Sequence, residues 1–213
     1  MTMGIKYSKE EVFKQRMISN SPISVFFNIG KPVGGSQRRI HGQVYLDFTQ
    51  DGHGARIDGI LKAFDNMKKR NECHLCTSSH EEGQRQIIED EDWIFFASGS
   101  PIRNYHIRFA PKSHIENFHN ISESKFSSLA KLLKILFRAM NFLNINPDRN
   151  IIFNTKPLGY ESYFHIFGDI LPYEFVGGAE MADDMRVVRI SPRELAKKLR
   201  KVIKYNEKEE IQK

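Results

Sequence analysis

The sequence predicts an α+β fold built on an antiparallel sheet, and three observations carry that expectation. Short runs rich in aromatic and β-branched residues recur, as at 23–29, 93–97 and 150–154, and read as strands. One strongly amphipathic helical stretch, residues 123–141, lies between the strands of the second half. Turn clusters at 30–36 and 145–148 punctuate these runs. Strands with one long helix between them point to an α+β sandwich.

Taken in order, residues 8–18 read as a short helix with Ser8 as N-cap and Glu11 in the capping-box position. A strand follows at 23–29, a Gly/Pro/Ser turn at 30–36, and a second strand at 41–48. A loop at 49–54 opens a helix over 55–69, with Ile57, Ile60, Leu61 and Phe64 on one face. Beyond two cysteines, strands are expected at 86–88, 93–97 and 106–110. Ser122 caps the long helix, whose apolar face carries Phe126, Leu129, Leu133, Leu136, Phe137 and Met140. Strands at 150–154 and 162–171 precede a basic helix that starts at Pro192, with Ser191 as its N-cap. The N-terminal piece repeats the last third of the later unit: helix, strand, turn, motif strand. Residues 1–72 therefore read as a partial copy, 73–205 as a complete domain and 206–213 as a polar tail.

The chain of 213 residues has enough apolar content for a large core. No stretch approaches the roughly 20 apolar residues of a membrane span. The polar start does not read as a signal peptide, so a cytoplasmic protein with no membrane partner is expected. A net charge of +6 and a pI near 9.2 favour anionic partners. Much of that charge lies between Arg193 and Lys213, where a solvated helix face explains it without nucleic acid.

The two cysteines, Cys73 and Cys76, form a Cys-x-x-Cys pair. In a reducing compartment such a pair reads as metal-binding or redox-active. A tetrahedral zinc held by that knuckle needs two more ligands, and spacing selects His114 and His165 from eight histidines. His74 lies inside the knuckle, unsuited to the same ion, while His80, His106 and His119 read as surface or packing residues. Two thiolates and two imidazoles would close the shell and make the site structural. The competing reading is a pair of free thiols and a hydrogen-bonded core histidine.

A second constellation lies at 28–43. Gly34, Gly35 and Ser36 offer backbone N–H groups and a hydroxyl suited to phosphate oxygens, and Arg38 and Arg39 add charge. His41 and Gln43 share one face of the strand. There an imidazole can attack phosphorus while an amide hydrogen-bonds the transferring group. The competing reading is a turn and a half-buried strand without chemistry. Around His41 and around His165 the chain carries two half-copies of an alternating histidine motif. Arg39 stands in place of the leading histidine in the first, and Phe167 in place of the next in the second.

These residues resemble galactose-1-phosphate uridylyltransferase and its relatives in the histidine-triad (HIT-like) nucleotidyltransferase superfamily. The resemblance runs from about Ile23 to Arg200, with a shortened first half. Asn28-Ile29-Gly30, Gly34-Gly35-Ser36 and His41-Gly42-Gln43 are similar to the family's first-half block. Cys73-His74-Leu75-Cys76, Trp93, residues 110–114 and residues 165–172 are similar to its second half, and residues 177–181 and 191–196 to its closing block. The resemblance implies a HIT-like antiparallel sheet, one complete unit plus a partial copy. It implies His41 as the nucleophile, Gln43 as its amide partner and Asn28, Gly35, Ser36, Arg38 and Arg39 as nucleotide and phosphate contacts. It also implies zinc on Cys73, Cys76, His114 and His165, and pairing into a homodimer. Arg39 and Ile40 in place of His-Pro exclude a family-type metal site in the first half, and Phe167 removes any nucleophile from the second.

The expected activity is a nucleotidyltransferase or phosphorylase of carbohydrate metabolism. It would act on a nucleotide sugar, sugar phosphate or dinucleotide through a covalent His41 adduct. The alternative is a non-catalytic nucleotide or sugar-phosphate binding protein on the same zinc-stabilised scaffold. A nucleic-acid binder driven by the basic tail is a third reading, which a flat salt dependence of binding would dismiss. Nucleobase and sugar specificity are not legible in these residues.

Overall fold

The computed structural model describes residues 23–37, 40, 42–46, 55–76, 83–157, 160–178, 180 and 187–211. Its elements are β1 (Ile23–Ile29), β2 (Gly42–Leu46), α1 (Ala55–Lys69), β3 (Gln86–Glu89), β4 (Trp93–Ala97), β5 (Ile107–Pro111), α2 (Glu123–Phe142), β6 (Arg149–Asn154), β7 (Phe167–Pro172) and α3 (Pro192–Ile211). The seven strands form one sheet in the order β2-β1-β6-β7-β5-β4-β3, and every pairing is antiparallel. This is the α+β architecture on an antiparallel sheet that was expected. The two N-terminal strands join the same sheet as the later five, β1 pairing with β6.

Strand alternation sorts the sheet into two faces. On one, Phe27, Phe95, Phe109, Ile151, Phe153 and Ile170 pack with the buried stripes of α2 and α3. On the other, Ile94, Phe96, Ala110 and Phe167 pack with Leu61 and Phe64 of α1. Covering both faces explains why all of β4 and β7 is buried. Gly168 belongs to this close packing: a Cβ there would fall 2.0 Å from the Phe109 ring.

The helices start where the capping residues place them. Ser122 Oγ accepts the Lys125 N–H at 3.3 Å, and Ser191 Oγ accepts that of Glu194 at 3.2 Å. In α2 the buried residues are Leu129, Leu132, Leu136, Ala139 and Met140. Phe126, Leu133 and Phe137, expected in the stripe, instead line a groove above β1 and β6, since the stripe turns toward α3. On α3, Leu195, Leu199, Val202 and Ile203 are buried while Lys197, Lys198, Lys201 and Lys204 face solvent, so the basic run is a solvated helix face. The helix continues past residue 205 to Ile211.

The strand expected over 162–171 begins only at Phe167. Residues 162–166 run beside the 112–117 loop instead, where the Ile166 N–H bonds the Ile115 carbonyl at 2.7 Å. His165 therefore precedes the strand and does not sit within it. The helix expected at 8–18 and the loop at 49–54 lie outside the described residues. Among the described residues, no helix is long and apolar enough to cross a membrane.

Candidate functional site

The two cysteines and two histidines picked by spacing come together. Cys73 and Cys76 sit on the turn after α1, His114 follows β5, and His165 leads into β7. Their donor atoms all lie within 4.8 Å of one another. Cys73 Sγ is 3.4 Å from His165 Nδ1, and Cys76 Sγ is 3.4 Å from Nδ1 of both His114 and His165. Zinc bonds of about 2.3 Å to sulfur and about 2.0 Å to nitrogen, at tetrahedral angles, put S and N roughly 3.5 Å apart. Three of the six donor pairs thus stand at the spacing a tetrahedral metal requires.

The surroundings reinforce the fit. His165 is fully buried, and its Nε2 lies 3.0 Å from the Pro111 carbonyl oxygen. A proton on that nitrogen leaves Nδ1 as the lone-pair donor facing the sulfurs, the outer-shell arrangement that orients metal-binding imidazoles. His114 stacks on Tyr163 with ring centroids 4.6 Å apart. Burial, reinforced by the neighbouring His114, holds His165 down at about 4, and burial also lowers His114. Both rings are thus neutral and ligand-competent near neutrality. Burial pushes the Cys76 thiol up to about 12, with Cys73 adding to the rise, so thiols closed off here favour their protonated form unless a cation compensates the thiolates. His74 is exposed and stays out of the donor group.

The first-half constellation is partly described: His41, Arg38 and Arg39 lie outside the described residues. Gln43 on β2 and Asn28 on β1 are joined, Asn28 Nδ2 donating to Gln43 Oε1 at 3.1 Å. Asn150 on β6, which sequence reasoning missed, holds Asn28 in turn. Its Nδ2 donates to Asn28 Oδ1 at 2.7 Å and to the Val33 carbonyl at 3.1 Å. The missed signal was a pair of asparagines, Asn150 and Asn154, four residues apart and so on one face of the strand, with only Ile151, Ile152 and Phe153 between them. Because its Oε1 accepts from Asn28, the Gln43 amide turns its N–H donors away from the relay.

The glycine-rich turn is built by its own hydrogen bonds. Gly34 N–H donates to Lys31 O at 3.0 Å and Gly35 N–H to Gly30 O at 2.9 Å, so both are taken up within the turn. Gly30, at φ +99°, lies where a Cβ would strike the Asp148 carboxylate at 1.8 Å. Ser36 stands exposed at the end of the turn.

A second polar group lies across the same face of the sheet. His106 Nε2 and Arg108 Nε both donate to Asp169 Oδ1 at 2.8 Å, and Asn154 Nδ2 donates to Oδ2 at 3.2 Å. Burial alone would raise the Asp169 carboxyl, but the His106 hydrogen bond and the Arg108 charge outweigh it and hold the group well below the carboxylate range. His106 is a packing residue, as expected, fully satisfied in the core. His80 and the side chain of His119 lie outside the described residues.

Comparison with known proteins agrees with this architecture. No family model matches the chain. The sequence is 29% identical over 191 residues to ADP-glucose phosphorylase of Arabidopsis thaliana, covering 84% of this chain and 52% of that protein. It is 28% identical over 116 residues to galactose-1-phosphate uridylyltransferase of Thermotoga maritima, covering 54% of this chain and 36% of that one. A solved uridylyltransferase superposes with a TM-score of 0.77 over 92% of this chain and 65% of its own, at 22% identity. The chain shares the fold of that uridylyltransferase. The Arabidopsis ADP-glucose phosphorylase crystallised with ADP-glucose superposes equally, with a TM-score of 0.76 over 90% of the chain and 63% of its own, at 24% identity. The chain spans about half the length of the first of these curated relatives and about a third of the second.

Proposed function

We propose that the protein is a uridylyltransferase-like nucleotidyltransferase or phosphorylase. It moves a nucleotidyl group from a nucleotide sugar or dinucleotide to a phosphate acceptor through a covalent adduct on His41. The observation that carries this reading is the amide relay from Asn150 through Asn28 to Gln43, beside the Gly34-Gly35-Ser36 turn. A strand with no chemistry has no need of three interlocked carboxamides that fix the orientation of one amide donor group.

An imidazole nitrogen of His41 attacks the α-phosphorus. The N–P bond forms, and the phosphoanhydride bond breaks with its electron pair leaving on the sugar phosphate. A phosphate or sugar-phosphate oxygen then attacks the same phosphorus, the N–P bond breaks and the imidazole is restored. Gln43 donates from Nε2 to the phosphoryl oxygen that gains charge. With the Gly34 and Gly35 N–H groups engaged in the turn, Ser36, Arg38 and Arg39 supply the remaining phosphate contacts.

Cys73, Cys76, His114 and His165 hold zinc in this reading. With four protein ligands the ion offers no site to substrate and acts by bracing the knuckle against β5 and β7. The same reading makes the protein a cytoplasmic enzyme of carbohydrate metabolism, with homodimerisation by analogy. Incubation with ADP-glucose or UDP-glucose labelled at the α-phosphate is expected to leave an acid-labile, alkali-stable label on the wild-type chain and none on His41→Asn. Absence of label together with absence of phosphate-dependent breakdown of every nucleotide sugar tried would overturn it in favour of a binding protein.

A further inference from the structure

On the face of the sheet that packs against α2 and α3, an apolar groove of about 620 Å³ runs between α2 and β1. Phe126, Leu133 and Phe137 of α2 form one wall, and Val25, Phe27 and Ile29 of β1 form the floor. The apolar surface continues onto β2, where Val44 stands opposite Val25 and so shares its face. Among the described residues, α2 and α3 cover the centre of this face, while Ile40, Val44 and Phe126 at its β1–β2 end stay exposed. A contiguous apolar strip of this kind marks a surface with an occupant.

The topology points to residues 8–18, which the sequence predicts to be a helix and which lie outside the described residues. In the later unit α2 leads through residues 143–148 into β6 and runs back along it. Phe118 joins the two ends on one side, stacking on Phe126 of α2 and packing on Phe153 of β6. At the other, the Arg149 guanidinium of β6 lies 4.4 Å from the Phe137 ring centroid of α2. Residues 19–22 lead in the same way into β1, and β1 runs antiparallel to β6, with Ser24 opposite Asn154 and Ile29 opposite Arg149. A helix entering β1 therefore ends beside Phe126 and runs antiparallel to α2, along the groove. The five steps from residue 18 to Ile23 reach up to about 17 Å, more than the roughly 8–10 Å between packed helix axes. Eleven helical residues span about 16 Å, close to the stretch of α2 from Phe126 to Phe137.

The composition of the segment suits that place. At about 100° per residue, Val12, Phe13 and Met17 fall on one side of the helix. Lys9 and Arg16 fall within the same arc, and their long stems cross apolar surface while the charges reach past the rim. The antiparallel run brings Glu10 and Glu11 to the end of the groove where Lys134 of α2, exposed to solvent, forms the rim. We propose that residues 8–18 fold as a helix into this groove, antiparallel to α2 and within the same chain. The segment covers the β1–β2 end of the sheet and clamps the two strands that carry Asn28 and Gln43 against the core. The inference does not depend on His41 acting as a nucleophile.

The test is photo-cross-linking of the full chain, with benzoylphenylalanine placed in turn at positions 126 and 134. Neither side chain is buried, so the probe enters without disturbing the core. Cross-linked peptides are identified by mass spectrometry after separation of single from joined chains on a denaturing gel. The expected result is a cross-link within one chain from position 126 to residues 13–18 and from position 134 to residues 8–13. Its yield should fall about tenfold in Phe13→Asp/Met17→Asp, because two carboxylates would then enter an apolar groove. Cross-links that join two chains overturn the proposal in favour of a second copy in the groove. Absence of any cross-link to residues 8–18 from both positions overturns it too, as does an unchanged yield in the double variant. The opposite order, position 126 to residues 8–12 and position 134 to residues 14–18, would overturn the antiparallel placement. Loss of the His41 label with the expected cross-links intact would overturn the proposed activity alone.

Discussion

Substituting Cys73 by alanine tests the metal centre most directly. The side chain is buried, and its sulfur lies 3.4 Å from His165 Nδ1. Structural zinc in small peptides is worth about 10–16 kcal/mol, since nothing there folds without it. Here much less is at stake, because the sheet and both helix layers have their own core. The apolar cluster of Leu61, Phe64, Phe96, Phe164 and Phe167 also persists without the ion. What is lost is the tie among the knuckle, the 112–117 loop and the approach to β7, leaving His165 buried without its main partner. Removing one member of a buried polar set costs about 3–5 kcal/mol. For a chain of 213 residues that lowers Tm by about 6–20 °C, at about 2–4 °C per kcal/mol. Metal analysis and thermal unfolding check this. Wild type should carry about one zinc per chain, Cys73→Ala close to none. Chelated wild type should melt with Cys73→Ala, and His74→Asn, in the knuckle but outside the donor group, with untreated wild type. Equal zinc in Cys73→Ala and wild type, or no effect of chelation on melting, would refute the reasoning and favour free thiols.

In metal-stripped protein, stability should fall as pH drops from about 6.5 toward about 4. The unfolded chain takes up a proton at the ordinary histidine value, while buried His165 resists until about 4. Its contribution is therefore complete above the unfolded value and lost through that window, and urea midpoints against pH should show the slope flattening in His165→Asn. Asn150→Leu breaks the relay while keeping volume, so the His41 label should form about ten- to a hundredfold more slowly at unchanged zinc content. An unchanged labelling rate would separate Asn150 from the chemistry. Asp169→Asn withdraws the carboxylate from His106 and Arg108 together and should cost about 2–4 kcal/mol, read as a lower urea midpoint.

Periodicity and capping were sufficient for much of this architecture. The β1 and α1 boundaries, the Ser122 and Ser191 caps and the long α2 are local properties, written in a few adjacent residues. The Cys/His group was legible because a Cys-x-x-Cys turn has so few uses that only the histidines remained to be chosen. Errors arose where tertiary partners decide. Residues 162–166 have the composition of a strand, yet the 112–117 loop takes their hydrogen bonds. Half of the predicted α2 stripe faces a groove because α3 draws the helix round. The glycine N–H groups read as phosphate donors are spent within their own turn. Asn150 was missed because its meaning depends on Asn28, 122 residues away in sequence and adjacent only once β1 meets β6.

The two damaged half-motifs make physical sense once placed on one sheet. The face opposite α2 and α3 carries a single row from Gln43 to Phe96, and α1 covers only the Phe96 end of it. At that covered end, residue 167 packs 6.4 Å from Phe64 and lies under the Arg108 guanidinium. An imidazole there would lose apolar burial and, beside a fixed cation, would be held from taking up a proton. Phenylalanine is the residue that such a setting stabilises, while His165, two residues earlier, is turned by the Ile166–Ile115 bond toward the sulfurs, where an imidazole is required. At the other end the row meets carboxamides instead of aromatic walls, and the Asn150–Asn28–Gln43 relay keeps the strand's polar edge oriented. Burial by α1 thus divides one row into an apolar half beside the Cys/His group and a polar half joined by carboxamides.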